Sequence, residues 1–233
     1  MLVTPTNLQL LINVRNQGGD VMQENITANV SEDTITLEFM RLDGVFVSQL
    51  VDFTNEVEAM KLIIPGEEEL GQTGHQTLCF LTHAAQADFI APDAMAKLRQ
   101  KTQALRVAEE DKGWRQTTAS AVYQGNNSFI QIMPSGMDQS SYASAVTPFP
   151  AHALSSDAAD GKPAVGACVS ETDHTKECIC HIEVCVNWYP CGLKYCKGKP
   201  QGGLSYRCGI KTCHRCYRYH FYVRRRDACP TYT

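Results

Sequence analysis

Ten of the eleven cysteines of this 233-residue chain fall in its last 66 residues. They are spaced as CxCH (178–181), CxxxxC (191–196) and CxxxxCxxC (208–216). Such a density leaves two constructions open, a disulfide framework or a metal-binding module, and each implies a different compartment. Zinc wants four thiolate or imidazole ligands in short-spaced pairs. Cys213 and Cys216 make one CxxC, and Cys178, Cys180 and His181 offer further ligands. Four ligands would leave six cysteines of the tail without a role. Disulfides use all ten in pairs and suit a segment too small to bury an adequate core. Cys178 and Cys180 point the same way on an extended chain, so they are expected to reach different partners. Catalytic redox use of Cys213-His214-Arg215-Cys216 lacks the βαβ setting that such a motif normally opens. No metal and no cofactor is expected on this reading.

The net charge of −4 hides an asymmetry. From Cys168 onward there are eleven Lys and Arg against five Asp and Glu, leaving ten against twenty in the first 167 residues. An acidic front and a basic tail attract each other, and a basic tail also suits anionic partners. No apolar run approaches the ~18 residues of a membrane-spanning helix. Residues 1–14 lack a basic n-region and an uninterrupted apolar core, so no secretory signal is visible there. Three sequons, at Asn25, Asn29 and Asn126, nevertheless join the cysteines in pointing to an extracellular glycoprotein. No nucleophile elbow, HExxH or P-loop is present, and no enzymatic activity is expected.

Period-2 alternation predicts strands through residues 8–83. Leu8, Leu10, Ile12 and Val14 alternate, as do Ile35, Leu37 and Phe39. Turns follow at 17–20 and at Asp43-Gly44, the latter read as a type I′ hairpin with Val45 to Phe53 returning. Leu78 and Phe80 share one face of a further strand, with Cys79 on the other. The period then changes. Pro92-Asp93 suits a helix start, and Met95, Leu98, Thr102 and Leu105 form a stripe, predicting a helix to about Lys112 ended by Gly113. Residues 124–167, rich in Ser, Ala, Gly and Pro, read as a flexible linker. The expected fold is α+β: an antiparallel sheet with a packed helix over 7–123, the linker, and a small disulfide-rich, mostly β module over 168–233. Segment 217–223, Tyr-Arg-Tyr-His-Phe-Tyr-Val, is the most β-prone run in the chain.

Three stretches carry a resemblance: DAMAKLRQK (93–101), WYPCGLKYC (188–196), and CGIKTC (208–213) followed by YHFYV (219–223). They resemble the out at first family of secreted proteins. The resemblance implies a front segment similar to BRICHOS domains, with Asp52 in VDFTNEV and Cys79 in TLCFLTH at matching positions. BRICHOS domains restrain β-prone segments, so it implies a client role for 217–223. The sequence departs from that pattern over 124–167, where a second cysteine and an amphipathic segment are missing. The family's tail pattern places a framework on Cys168, Cys178, Cys180, Cys191, Cys196, Cys208, Cys213 and Cys229. Cys185 and Cys216 are additions to it and are expected to pair with each other, leaving Cys79 unpaired. Asp52 shares a strand face with Leu50 and Phe46, and a buried carboxyl there would have a raised pKa and brace helix packing. The expected function is that of a secreted extracellular signalling, developmental or modulatory factor acting on an unknown extracellular protein, with no nucleic acid and no membrane span. The alternative is an intracellular zinc-binding regulator using Arg224, Arg225 and Arg226 on nucleic acid.

Overall fold

The computed structural model describes residues 7–66, 74–84, 88–96, 105–118, 121–126, 165–197 and 205–230. Six strands follow one another as an antiparallel meander: β1 (Asn7–Arg15), β2 (Val21–Asn29), β3 (Thr34–Met40), β4 (Phe46–Asp52), β5 (Val57–Ile64) and β6 (Gln76–His83). A single helical turn, α1 (Pro92–Ala96), leads to β7 (Leu105–Arg106), β8 (Glu110–Thr118) and β9 (Ala121–Asn126). β7 adds to the β1 edge in parallel and β9 to the β6 edge antiparallel, giving an eight-stranded sheet.

The tail forms its own sheet. β10 (Cys178–Cys196) and β11 (Tyr206–Val223) make a long, bulged antiparallel ribbon. Its third strand is β8, which runs parallel to β11 and pairs Trp114 with Cys216 and Thr118 with His220. A strand from the front half therefore completes the tail's sheet.

Register fixes what each face buries. Leu10, Ile26, Leu37, Gln49, Met60 and Phe80 lie across from one another and share the inner face of the large sheet. Tyr217, Tyr219, Phe221 and Val223 alternate on β11 and meet that face, all four buried. Both sheets contribute to one continuous core. A small tail sheet of this kind cannot cover its own apolar face, and the front sheet supplies the second layer.

The expectation of α+β architecture is corrected: among the described residues the protein is nearly all β. Of the helix expected to run to Lys112, the described residues hold α1, and the stripe members Leu98 and Thr102 lie outside the described residues. Leu105 is half exposed and sits opposite Asn13 in β7, so it cannot belong to an apolar helical stripe. Residues 110–112 are strand, and Gly113 takes φ +67° inside β8 instead of ending a helix. Helix propensity differs little between residues, and strand pairing outweighs it here. The hairpin at Asp43-Gly44 is also different in detail. Only Gly44 has positive φ (+81°), and Arg41 N–H donates to Val45 O at 2.9 Å, closing a three-residue loop in place of a type I′ turn. Of the linker expected over 124–167, residues 124–126 end β9 and 165–167 precede the tail, while the remainder lies outside the described residues.

Candidate functional site

All ten tail cysteines are bridged: Cys168–Cys178, Cys180–Cys229, Cys185–Cys216, Cys191–Cys213 and Cys196–Cys208. Cys178 and Cys180 thus reach different partners, because the first lies beside a 3₁₀ turn at Cys168–Ser170 and the second faces the chain end. Three bridges cross between β10 and β11, and Cys185 lies directly opposite Cys216 with a Cα separation of 4.0 Å. Each closure contributes about 2–4 kcal/mol, mainly by restricting the unfolded chain. Two clusters have metal-ligand proximity, Cys168/Cys180/Cys229 and Cys185/His214/Cys216. Every sulfur in them is in a disulfide, so neither offers the thiolates zinc requires.

Cys79 is the one free cysteine among the described residues. It lies on the outer face, across from Lys61 and Tyr123, and burial pushes its thiol up to about 11. Asp52 lies on that outer face too, since its neighbour Val51 points into the core. Its carboxylate accepts Asn55 N–H at 2.9 Å and the Asn55 side-chain amide at 2.7 Å. The geometry is a turn cap between β4 and β5. Asn25 sits mid-strand, hydrogen-bonded to Gln9 and Glu38. Asn29 ends β2, where its Oδ1 accepts Ser31 Oγ–H at 2.7 Å and the Ser31 and Glu32 amides. Asn126 ends β9.

Between the sheets lies a polar cluster that no sequence motif marks. Gln49 Nε2 donates to Glu58 Oε1 at 2.7 Å and to Tyr217 Oη at 3.0 Å. Asp88 receives Arg115 and Arg215, each at 2.7 Å, and Arg115 also stands 3.7 Å from Glu58. Burial raises the Glu58 carboxyl, with the Gln49 bond and Arg115 opposing it. Desolvation likewise pushes Tyr189 up to about 12 and Tyr217 and Tyr219 well above their ordinary range. Glu24 is more extreme. It is fully buried on β2, and burial pushes its carboxyl up to about 8. The Asn187 and Trp188 amides, in a bulge of β10, pull the other way, but neither carboxyl oxygen reaches hydrogen-bond geometry. Strand parity carried a signal for both acids: Glu24 falls between inward Met22 and Ile26, and Glu58 lies two residues before inward Met60.

The charge asymmetry is realised as contacts across the two halves. Lys194 pairs with Glu109 at 2.5 Å, Arg215 with Asp88, and His214 Nδ1 with Asp111 Oδ1 at 3.0 Å. Arg225 is paired within the tail to Asp227, and Arg226 Nε donates to Glu171 O. A cleft of about 380 Å3 opens where the hairpin ends of the large sheet meet the tail ribbon. Arg41, Leu42, Trp114, Glu183 and Cys185 line it.

This two-layer arrangement can be set beside known proteins. A family model described as "Out at first" matches residues 8–134, and one described as "Out at first, C-terminal" matches residues 167–233. The chain belongs to the Out at first family. It is 42% identical to an Out at first protein of Drosophila virilis over 257 aligned positions, covering 98% of this chain and 84% of that protein. It is 42% identical to an Out at first protein of Drosophila melanogaster over 248 positions, covering 95% of this chain and 51% of that one. No solved structure matches. The boundary between the two Out at first models does not coincide with the sheet boundary: β8 lies in the part the first model matches, yet completes the tail's sheet.

Proposed function

We propose that the chain is a secreted, non-enzymatic extracellular factor with a signalling, developmental or modulatory role, whose front sheet serves as the template on which the β-prone tail strand folds. The observation that carries the reading is the seating of segment 217–223 on the front sheet. Tyr219 stacks on Phe80 at 4.3 Å, Phe221 packs against the same ring at 5.6 Å, and Tyr217 is tied to Gln49. Left exposed, a strand of this composition invites edge pairing with other chains. Five bridges within 168–229 favour an oxidising compartment, since cytosolic thiols are kept reduced. No helix of the described residues is long and apolar enough to cross a membrane. An unknown extracellular protein is the partner.

The test is oxidative refolding of the full chain against residues 105–233, which retain β8 but lack the meander. The full chain is expected to recover its five native pairings in much higher yield. Equal yields would refute the template role. Expression behind a secretory signal, with a glycan shift removed by Asn29→Gln, tests the extracellular assignment.

A further inference from the structure

The five bridges are not chemically equivalent, and one of them has companions that the others lack. Cys185 and Cys216 face each other across the ribbon, on the side of the tail sheet turned away from the core. Their surroundings are asymmetric. Cys185 is half-buried and lines the 380 Å3 cleft, whereas Cys216 is buried. Two residues before Cys216 on the same strand face, His214 sets its Nε2 3.7 Å from Cys216 Sγ. Its other ring nitrogen, Nδ1, is held at 3.0 Å by Asp111 of β8, which stands opposite His214 in the parallel register. Asp111 is further fixed by the Gly113 amide at 2.8 Å, and the His214 contact is the chief reason its carboxyl is held below the usual range. The Asp111 carboxylate can only accept, so Nδ1 carries the hydrogen between them and Nε2 is the nitrogen turned to Cys216.

We propose that Cys185–Cys216 is a thiol-exchange site, attacked at Cys185 from the cleft by an external thiolate, with His214, positioned by Asp111, receiving the departing Cys216 thiolate. The chemistry balances in two steps. The incoming thiolate forms a sulfur–sulfur bond with Cys185 as the Cys185–Cys216 bond breaks. The electron pair leaves on Cys216 Sγ, 3.7 Å from His214 Nε2, which relays to it a proton drawn from solvent. A second external thiolate then attacks the mixed disulfide, releasing Cys185 as thiolate and departing as oxidised reductant. Two electrons pass from the external thiol to the bridge. Exchange rates depend on the leaving thiol's stability as an anion and on which sulfur can be reached. Cys185 is the sulfur that the cleft reaches, and His214 stands beside the sulfur that leaves. Among the described residues, no other bridge of the five has an imidazole beside one of its sulfurs.

The experiment uses the full oxidised chain and reduced glutathione as the thiol. Timed samples are quenched with N-ethylmaleimide, and the cysteines are located by peptide mapping. Cys185–Cys216 is expected to open first, with glutathione on Cys185 and maleimide on Cys216. His214→Gln is expected to slow that opening about tenfold or more, and Asp111→Asn to slow it less, with the other four bridges unchanged. Asp111 is exposed, so its variant keeps the test open should His214→Gln misfold. Loss of a merely structural contact would loosen the ribbon and speed reduction, so the sign separates the two roles. Opening of another bridge first, glutathione on Cys216, or an unchanged or faster rate in both variants would overturn the proposal.

Discussion

Phe80 of the front sheet and Tyr219 of the tail lie face to face, 4.3 Å between ring centroids and 7° from parallel, and both are wholly buried. Each ring contributes about 1.5–3 kcal/mol by leaving water, and a stacked pair adds roughly 0.5–1.5. The contact couples the halves energetically without a covalent link. Phe80→Ala is therefore expected to cost about 3–5 kcal/mol, read by urea unfolding with bridges intact. Both halves should unfold in one transition, and two resolved transitions in the parent chain would contradict a shared core.

Glu24 makes stability fall with rising pH. Its carboxyl holds a proton up to about 8 in the folded chain but releases it near 4.5 when unfolded. Its contribution is complete below the unfolded value and is lost progressively as pH rises to the folded one. Glu24→Gln keeps the shape without the ionisation. It should leave stability at pH 4 nearly unchanged and raise it at pH 8 by a few kcal/mol at most, flattening the slope between. An unaltered profile would show that Glu24 ionises freely.

Asp88 is the single carboxylate shared by Arg115 and Arg215, both at 2.7 Å. Removing one member of a desolvated ionic group strands the others. Asp88→Asn should destabilise by about 3–5 kcal/mol, discounted for the partial exposure of Arg115. Replacing Arg215 with Leu in that background should recover part of the loss, measured as a double-mutant cycle.

Cys79 should be inert in the native protein. With its thiol pushed up to about 11, hardly any thiolate is present at pH 8. Iodoacetamide is expected to label it only after denaturant is added, and Cys79→Ser should leave the five bridges as they are. Rapid native labelling would contradict the burial.

Much of the meander was readable because its strands alternate where the sequence does: Leu10, Leu37 and Phe80 lie on the inner face as alternation predicts. The turn at 17–20 was readable from its glycines, with Gly19 at φ +94°. β8 was not. Its sequence, EDKGWRQTT, has no apolar alternation because it is an edge strand, joined through backbone pairing to β11 and through Arg115 to Asp88. A parallel partner so distant along the chain leaves no local mark, and the stripe beginning at Met95 pointed to a helix instead. The polar cluster was half legible. Glu24 and Glu58 break alternation at inward positions, whereas Asp88, Arg115 and Arg215 converge only through tertiary packing.

Every sulfur bridge closes within residues 168–229, and none ties the tail to the meander. A protease cut between residues 127 and 164 would thus yield two polypeptides that still travel as one particle, clasped by β8 lying along β11. They would part in denaturant with no reductant present, so a nicked molecule would look intact on a sizing column and double on a non-reducing gel.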